Sequence, residues 1–254
     1  MNKGIAFYFG YLIQPEERVK LIKETGFDSV ITTNDKRWEW QNGSLRQQIK
    51  LLKKYGLKWT SLHMGYIREE LPAFWKEGKL GERLKKDLIK DVKLAKKYGF
   101  TCVVVHLVGE YSKLGESRLL EVLKVCEKLK VPLAIENLSQ LDLFKAVFEN
   151  IKHPMLKFCL DIGHNNAYTP NVDYFKDYGD KLITLHLHNN DGTGDQHTLY
   201  GNVDWEKLGK NLKNHKDISL DFELIPKNQP PLTAQEFLQK AKELADNLEK
   251  YIEN

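Results

Sequence analysis

Eight short apolar runs, each followed by a stretch of helical period, restrict the folds open to this chain more than any other feature. The runs fall near residues 4–9, 29–32, 59–63, 102–107, 132–136, 157–161, 182–188 and 218–223. Glu24-Thr25-Gly26-Phe27, Lys54-Tyr55-Gly56-Leu57 and Lys97-Tyr98-Gly99-Phe100 each close a helical pattern and precede an apolar run. Glycine just past a helix takes up the left-handed cap that other residues adopt at a cost, and a basic residue suits the last turn. These are helix-to-strand junctions. Apolar stripes at three and four spacing mark the helices, as in Leu45, Ile49 and Leu52, in Leu84, Leu88 and Ala95, and in Phe237, Ala241, Leu244 and Leu248. Thr233 and Glu236, spaced as a capping box, open the last one.

Eight strand-helix units in 254 residues match the count and the usual length of a closed (β/α)8 barrel, so one α/β domain over residues 1–254 is expected. An open doubly wound sheet would carry a glycine-rich phosphate turn after its first strand, and Phe9-Gly10-Tyr11-Leu12 contains neither GxGxxG nor GxxxxGK. The net charge of +4, from 39 Lys and Arg against 35 Asp and Glu, is too mild to require a polyanionic partner. No apolar run approaches membrane length, and Met1 to Gly10 lacks the pattern of a signal peptide, so a soluble cytoplasmic protein with no membrane partner is expected. Cys102, Cys126 and Cys159 include no CxxC pair, which argues against a disulfide framework or a zinc-thiolate site.

Nine residues of metal-ligand type stand at or just beyond the ends of these runs: His63, His106, Glu136, Asp161, His164, His186, Asp195, His197 and Glu223. One strand-end histidine is usually structural. The recurrence of the same kind of residue at the same point of successive units is different, because buried carboxylates are costly unless they are paired or hold a cation. In a barrel the carboxyl ends of the strands form the active face. The period of two places His186 and His188 on the face of Thr184, and sets Asp161 and Glu223 opposite Leu160 and Phe222, toward the barrel axis. Mixed carboxylate and imidazole ligation suits Zn²⁺, Mn²⁺, Fe²⁺, Mg²⁺ or Co²⁺. His63 and His106, from neighbouring strands, leave room for a second ion with Glu136 as a bridge. His153 and His215 precede strands at the opposite end and read as structural.

At these residues the chain resembles the xylose-isomerase-like barrels, which include sugar isomerases and epimerases together with the endonuclease IV type of abasic-site nuclease. The resemblance runs nearly end to end. It rests on Ser61-Leu62-His63, Val105-His106, Ala134-Ile135-Glu136-Asn137, Cys159-Leu160-Asp161-Ile162-Gly163-His164, Leu185-His186-Leu187-His188-Asn189-Asn190-Asp191, Asp195-Gln196-His197 and Asp221-Phe222-Glu223. The epimerase branch implies ligands at Glu136, Asp161, His186 and Glu223, with His164 touching substrate. The nuclease branch implies three ions: His63 and His106 on the first, Asp161, His186 and Glu223 on the second, His164, Asp195 and His197 on the third, and Glu136 bridging the first two.

An isomerase or epimerase works with Glu136 and Glu223 exchanging protons with carbon, while a phosphodiesterase gains from several ions. Ligand count favours the hydrolase, but no evident run of basic and aromatic residues tracks a DNA backbone. The expected partner is therefore a small carbohydrate or its phosphate, with abasic DNA as the alternative. His164 and His188 are expected to orient hydroxyls, and Tyr66 and Arg37, in Lys36-Arg37-Trp38, to line the pocket. The long connection from Arg68 to Glu82, with Phe74 and Trp75, is expected to form a lid over the substrate.

Overall fold

The computed structural model describes residues 1–227 and 229–254. The strands are β1 (Lys3–Ala6), β2 (Ser29–Asn34), β3 (Lys58–Met64), β4 (Cys102–Val105), β5 (Leu133–Glu136), β6 (Leu156–Asp161), β7 (Leu182–His186) and β8 (Leu220–Phe222). They pair in the order β7-β6-β5-β4-β3-β2-β1-β8, and every pairing is parallel. Leu187, just past β7, closes the ring: its N–H donates to the Asp221 carbonyl and its carbonyl accepts from Glu223 N–H. The chain is a (β/α)8 barrel, as the alternation of runs and helices requires.

Helices cover the outside: α1 (Pro15–Thr25), α2 (Glu39–Asn42), α3 (Leu45–Tyr55), α4 (Lys79–Tyr98), α5 (Lys113–Leu129), α6 (Leu141–Asn150), α7 (Ile162–Tyr168), α8 (Tyr174–Tyr178), α9 (Trp205–Leu212) and α10 (Ala234–Glu253). Gly26, Gly56 and Gly99 cap α1, α3 and α4 with φ of 90°, 65° and 80°, the left-handed geometry expected of them. The Thr233 and Glu236 capping box opens α10. The apolar stripes turn inward, so that Ile49, Leu52, Leu88, Ala95, Phe237, Ala241 and Leu248 are buried between helices and strands. Each large side chain so buried contributes about 1.5–3 kcal/mol. Inside the barrel a second, smaller set of Cys102, Val104, Ala134 and Cys159 fills the axis.

Two expectations change. The first run gives up its strand at Ala6, and Phe7 and Tyr8 turn out of the sheet to line a cavity. The connection carrying Trp75 is a packed wall whose start alone reaches the ligand residues, where Arg68 and Leu71 line a smaller cleft with His106, His164 and Asp195. Residues 68–75 form a 3₁₀ helix, and Arg118 from α5 is buried beneath it, donating to the carbonyls of Phe74 (2.8 Å) and Lys76 (2.7 Å). Trp75 is 3% exposed and packs on Gly115, where a Cβ would come within 2.1 Å of the indole. A segment clamped at its own carbonyls by a buried cation is poorly suited to open and close.

Candidate metal centre

Glu136, the last residue of β5, stands at the centre of the strand ends. His106 Nε2 lies 3.1 Å from its Oε1, and His186 Nδ1 and His63 Nε2 lie 2.9 and 3.5 Å from its Oε2. His164 Nδ1 is 3.2 Å from Oε1. Four imidazoles from different strand ends thus meet one carboxylate that is itself buried. A second gathering holds Asp161, His186 and Glu223, with ligand atoms within 4.8 Å of one another. A third forms where Asp195 Oδ2 lies 3.2 Å from His164 Nε2 and Asp195 Oδ1 lies 2.9 Å from His197 Nε2. All nine expected residues therefore come together at one end of the barrel.

Local structure aims these groups. Asp161 ends β6 and caps α7, accepting from His164 N–H at 2.7 Å. Asn137 locks that corner: it donates to the Asp161 carbonyl and accepts from Asp161 N–H at 2.9 and 2.8 Å, while its own carbonyl takes the His164 Nδ1–H at 2.9 Å. Asn137 ends the Ala134-Ile135-Glu136-Asn137 motif, and an amide beside a strand-end carboxylate is a signal in its own right. His197 has φ 54°, uncommon outside glycine, and its Nδ1 donates to the Glu223 carbonyl at 2.8 Å. Strain of this kind persists where the surroundings over-determine it.

The electrostatics are those of a cation site. Burial works to raise the Glu136 carboxyl, yet the surrounding imidazoles of His106, His186 and His164 outweigh it and hold it well below the ordinary range. Asp161 is lowered in the same way, against its burial, by His164 and His188. Burial works against charge on His164 and His197 too, but Asp161, Asp195 and Glu136 raise the first to about 12, and Asp195 and Glu223 raise the second to about 9. Buried Glu136 Oε2, Asp161 Oδ2 and both nitrogens of His186 have no hydrogen-bond partner among the described residues. Orphaned buried acceptors beside nitrogen donors of this type fit a divalent cation, which would satisfy them at once.

A cavity of about 470 Å³ opens above Glu136. Arg37, Tyr66 and His164 line it with Trp38 of the Lys36-Arg37-Trp38 stretch, joined by Tyr8, Asp35, Asn42 and Gln48, which carry no signal of their own in the sequence. Asn42 and Gln48 come from α2 and α3, so only the fold brings them to the site. Arg37 is anchored, with Nε 3.0 Å from Asp35 Oδ1. Two expected substrate contacts are elsewhere. Trp75 is walled off as described, and His188 is fully buried beneath the cavity, its Nε2 3.1 Å from Asp161 Oδ1.

A model of the xylose isomerase-like TIM barrel family matches residues 19–244. An uncharacterized protein of Methanocaldococcus jannaschii, MJ1614, is 28% identical over 225 residues, 81% of each chain. Among solved structures, the IOLI protein with a bound zinc atom superposes with a TM-score of 0.77 at 18% identity over 99% of both chains. D-psicose 3-epimerase from Clostridium cellulolyticum, solved with D-tagatose, gives 0.76 at 14% identity, again over 99% of both.

Proposed function

Because the chain belongs to the xylose isomerase-like TIM barrel family, we propose that it is a divalent-metal-dependent isomerase or epimerase of a small sugar or sugar phosphate. One observation carries the reading: Glu136 from β5 and Glu223 from beyond β8 both face the cavity and both approach His186 Nδ1, at 2.9 and 3.5 Å. Two carboxylates converging on one pocket from separated strands can take a proton from one side of a carbon and return it from another. The lowered pKa of Glu136 keeps it in the carboxylate form. Glu136, Asp161, His186 and Glu223 would hold the cation. Bound there, it supplies polarisation of a carbonyl or hydroxyl and so acidifies the neighbouring C–H. Asn42, Gln48 and Asp35 offer hydrogen bonds to hydroxyls, and Tyr8 and Trp38 offer faces to a sugar ring. Zinc bound to the IOLI protein and tagatose held by the psicose epimerase, both on this fold, support the choice.

A second reading, a phosphodiesterase of the endonuclease IV type, is favoured by the number of ligand groups, since four overlapping sets of three lie within 4.8 Å. One experiment separates the two. Metal-loaded protein is incubated with a panel of sugars and sugar phosphates in deuterated water, and in parallel with abasic duplex DNA. Deuterium at a sugar carbon, lost in Glu136→Gln, is the expected result. Strand scission without deuterium incorporation would replace the isomerase with the hydrolase.

A further inference from the structure

The fully buried His188 has no role in proton exchange or substrate contact, and its surroundings are those of a ligand. Its ring stacks on His197 at 4.1 Å between centroids and an interplanar angle of 22°. It fits because residue 163 is glycine: a Cβ there would lie 2.0 Å from the ring. Among the described residues His188 Nε2 has no hydrogen-bond partner of good geometry, although it lies 3.1 Å from Asp161 Oδ1 and 3.6 Å from Asp195 Oδ1. Its Nδ1 faces the Asn189 carbonyl at 3.3 Å.

Donor accounting then narrows the ring's state. A carbonyl can only accept, so Nδ1 carries the proton, and in the neutral ring Nε2 presents a lone pair. Nε2 faces the carboxylate oxygens of Asp161 and Asp195, so a cation held between them would bond to the ring nitrogen and to oxygen together. The same clamp recurs on the other imidazoles. Nδ1 of His63, His164 and His197 faces the carbonyls of Met64, Asn137 and Glu223 at 2.9, 2.9 and 2.8 Å, leaving each Nε2 for the interior. A main-chain carbonyl on one ring nitrogen is the usual support of a ligating histidine on the other.

We infer that His188 is itself a metal ligand and completes a site with Asp195 and His197, whose ligand atoms lie within 4.8 Å of its own. Asp161 and His164 also bring ligand atoms within 4.8 Å of one on His188. A donor set of two imidazoles and a carboxylate suits Zn²⁺. The inference rests on the metal dependence proposed above and is separable from it. The test uses the intact protein loaded with zinc, examined by anomalous diffraction at the zinc edge and by chelator competition on wild type and His188→Gln. An ion about 2.0–2.1 Å from His188 Nε2 is expected. One class of zinc in the variant should weaken by about 100-fold or be lost, with the rest unchanged. Ions at the other groups and none bonded to His188 in the wild-type crystal would end this inference alone, whether or not the variant folds. Absence of zinc throughout would remove the metal dependence as well.

Discussion

Two parts of the molecule bury carboxylates, and they neutralise them in opposite ways. At the barrel mouth the buried Glu136 and Asp161 are driven below their ordinary range, against the effect of burial, by imidazoles, and the more exposed Asp195 beside them is lowered in the same way. Elsewhere burial wins. Asp91, on α4 behind β2, is raised to about 7, with the Asn34 amide as its partner at 2.5 Å. Asp221, on the axis below the mouth, is raised to about 6 despite its bond from Ser219. The first group keeps its charge far into the acid range because imidazoles surround it; the second takes up a proton already as the pH falls through about 7 and 6. Burial alone therefore does not mark a functional carboxylate, whereas a carboxyl driven below its ordinary range against burial does.

The comparison breaks most visibly at Glu136. Glu136→Gln keeps the shape and removes the charge that four imidazoles share. Turnover of whichever substrate proves active should fall by about 10²–10⁴, the range of a lost proton-transfer group, with bound metal reduced as well. Kinetics and elemental analysis read both. Full activity with full metal would mean that the retained charge has no function.

Proton competition sharpens it next. His197 is raised to about 9 and His164 to about 12, both above the unfolded value near 6.5. In the metal-free protein their pairing with carboxylates stabilises fully below about 6.5 and is lost for His197 as the pH rises through about 9. A metal needs the neutral rings, so its affinity rises over the same interval. The midpoint of thermal unfolding should therefore differ more between metal-loaded and chelator-treated protein at pH 9 than at pH 6.5. Free metal at 1,000 times its Kd adds about 4 kcal/mol. A difference that shrank with pH would show that these imidazoles do not meet the ion.

Much of this was legible in the sequence, and the pattern of failures is physical. Strands and their polar ends were readable because parallel strands are short apolar runs and a ligand must sit where such a run stops. Gly26, Gly56 and Gly99 were readable because few residues tolerate their φ. Trp75 misled because an aromatic in a long connection can face a pocket or a helix with equal ease. What decided it was Arg118, distant in sequence and without a local signal. His188 was placed on the correct strand face but at the wrong depth, since periodicity gives direction and says nothing about which groups lie above. Asn42 and Gln48 reach the cavity only through the placement of α2 and α3.

The smallest effect tests the other side of the comparison. If Asp91 is a structural carboxylate neutralised by a proton, charge is of no use to it, and Asp91→Asn should stabilise the fold at neutral pH and above. The sign follows from its raised pKa: the folded chain holds a proton that the unfolded chain releases near pH 3.9. Stability of the parent is thus greatest below about pH 4 and falls until the pH passes about 7. Asparagine removes that decline while its Oδ1 still accepts from Asn34. The gain at pH 8 should be on the order of 2–4 kcal/mol, shrinking toward zero near pH 4. Denaturant unfolding at both values measures it. A variant less stable at pH 8, or a gain independent of pH, would show that Asp91 is held as an anion, and the division between mouth and periphery would fail at that residue.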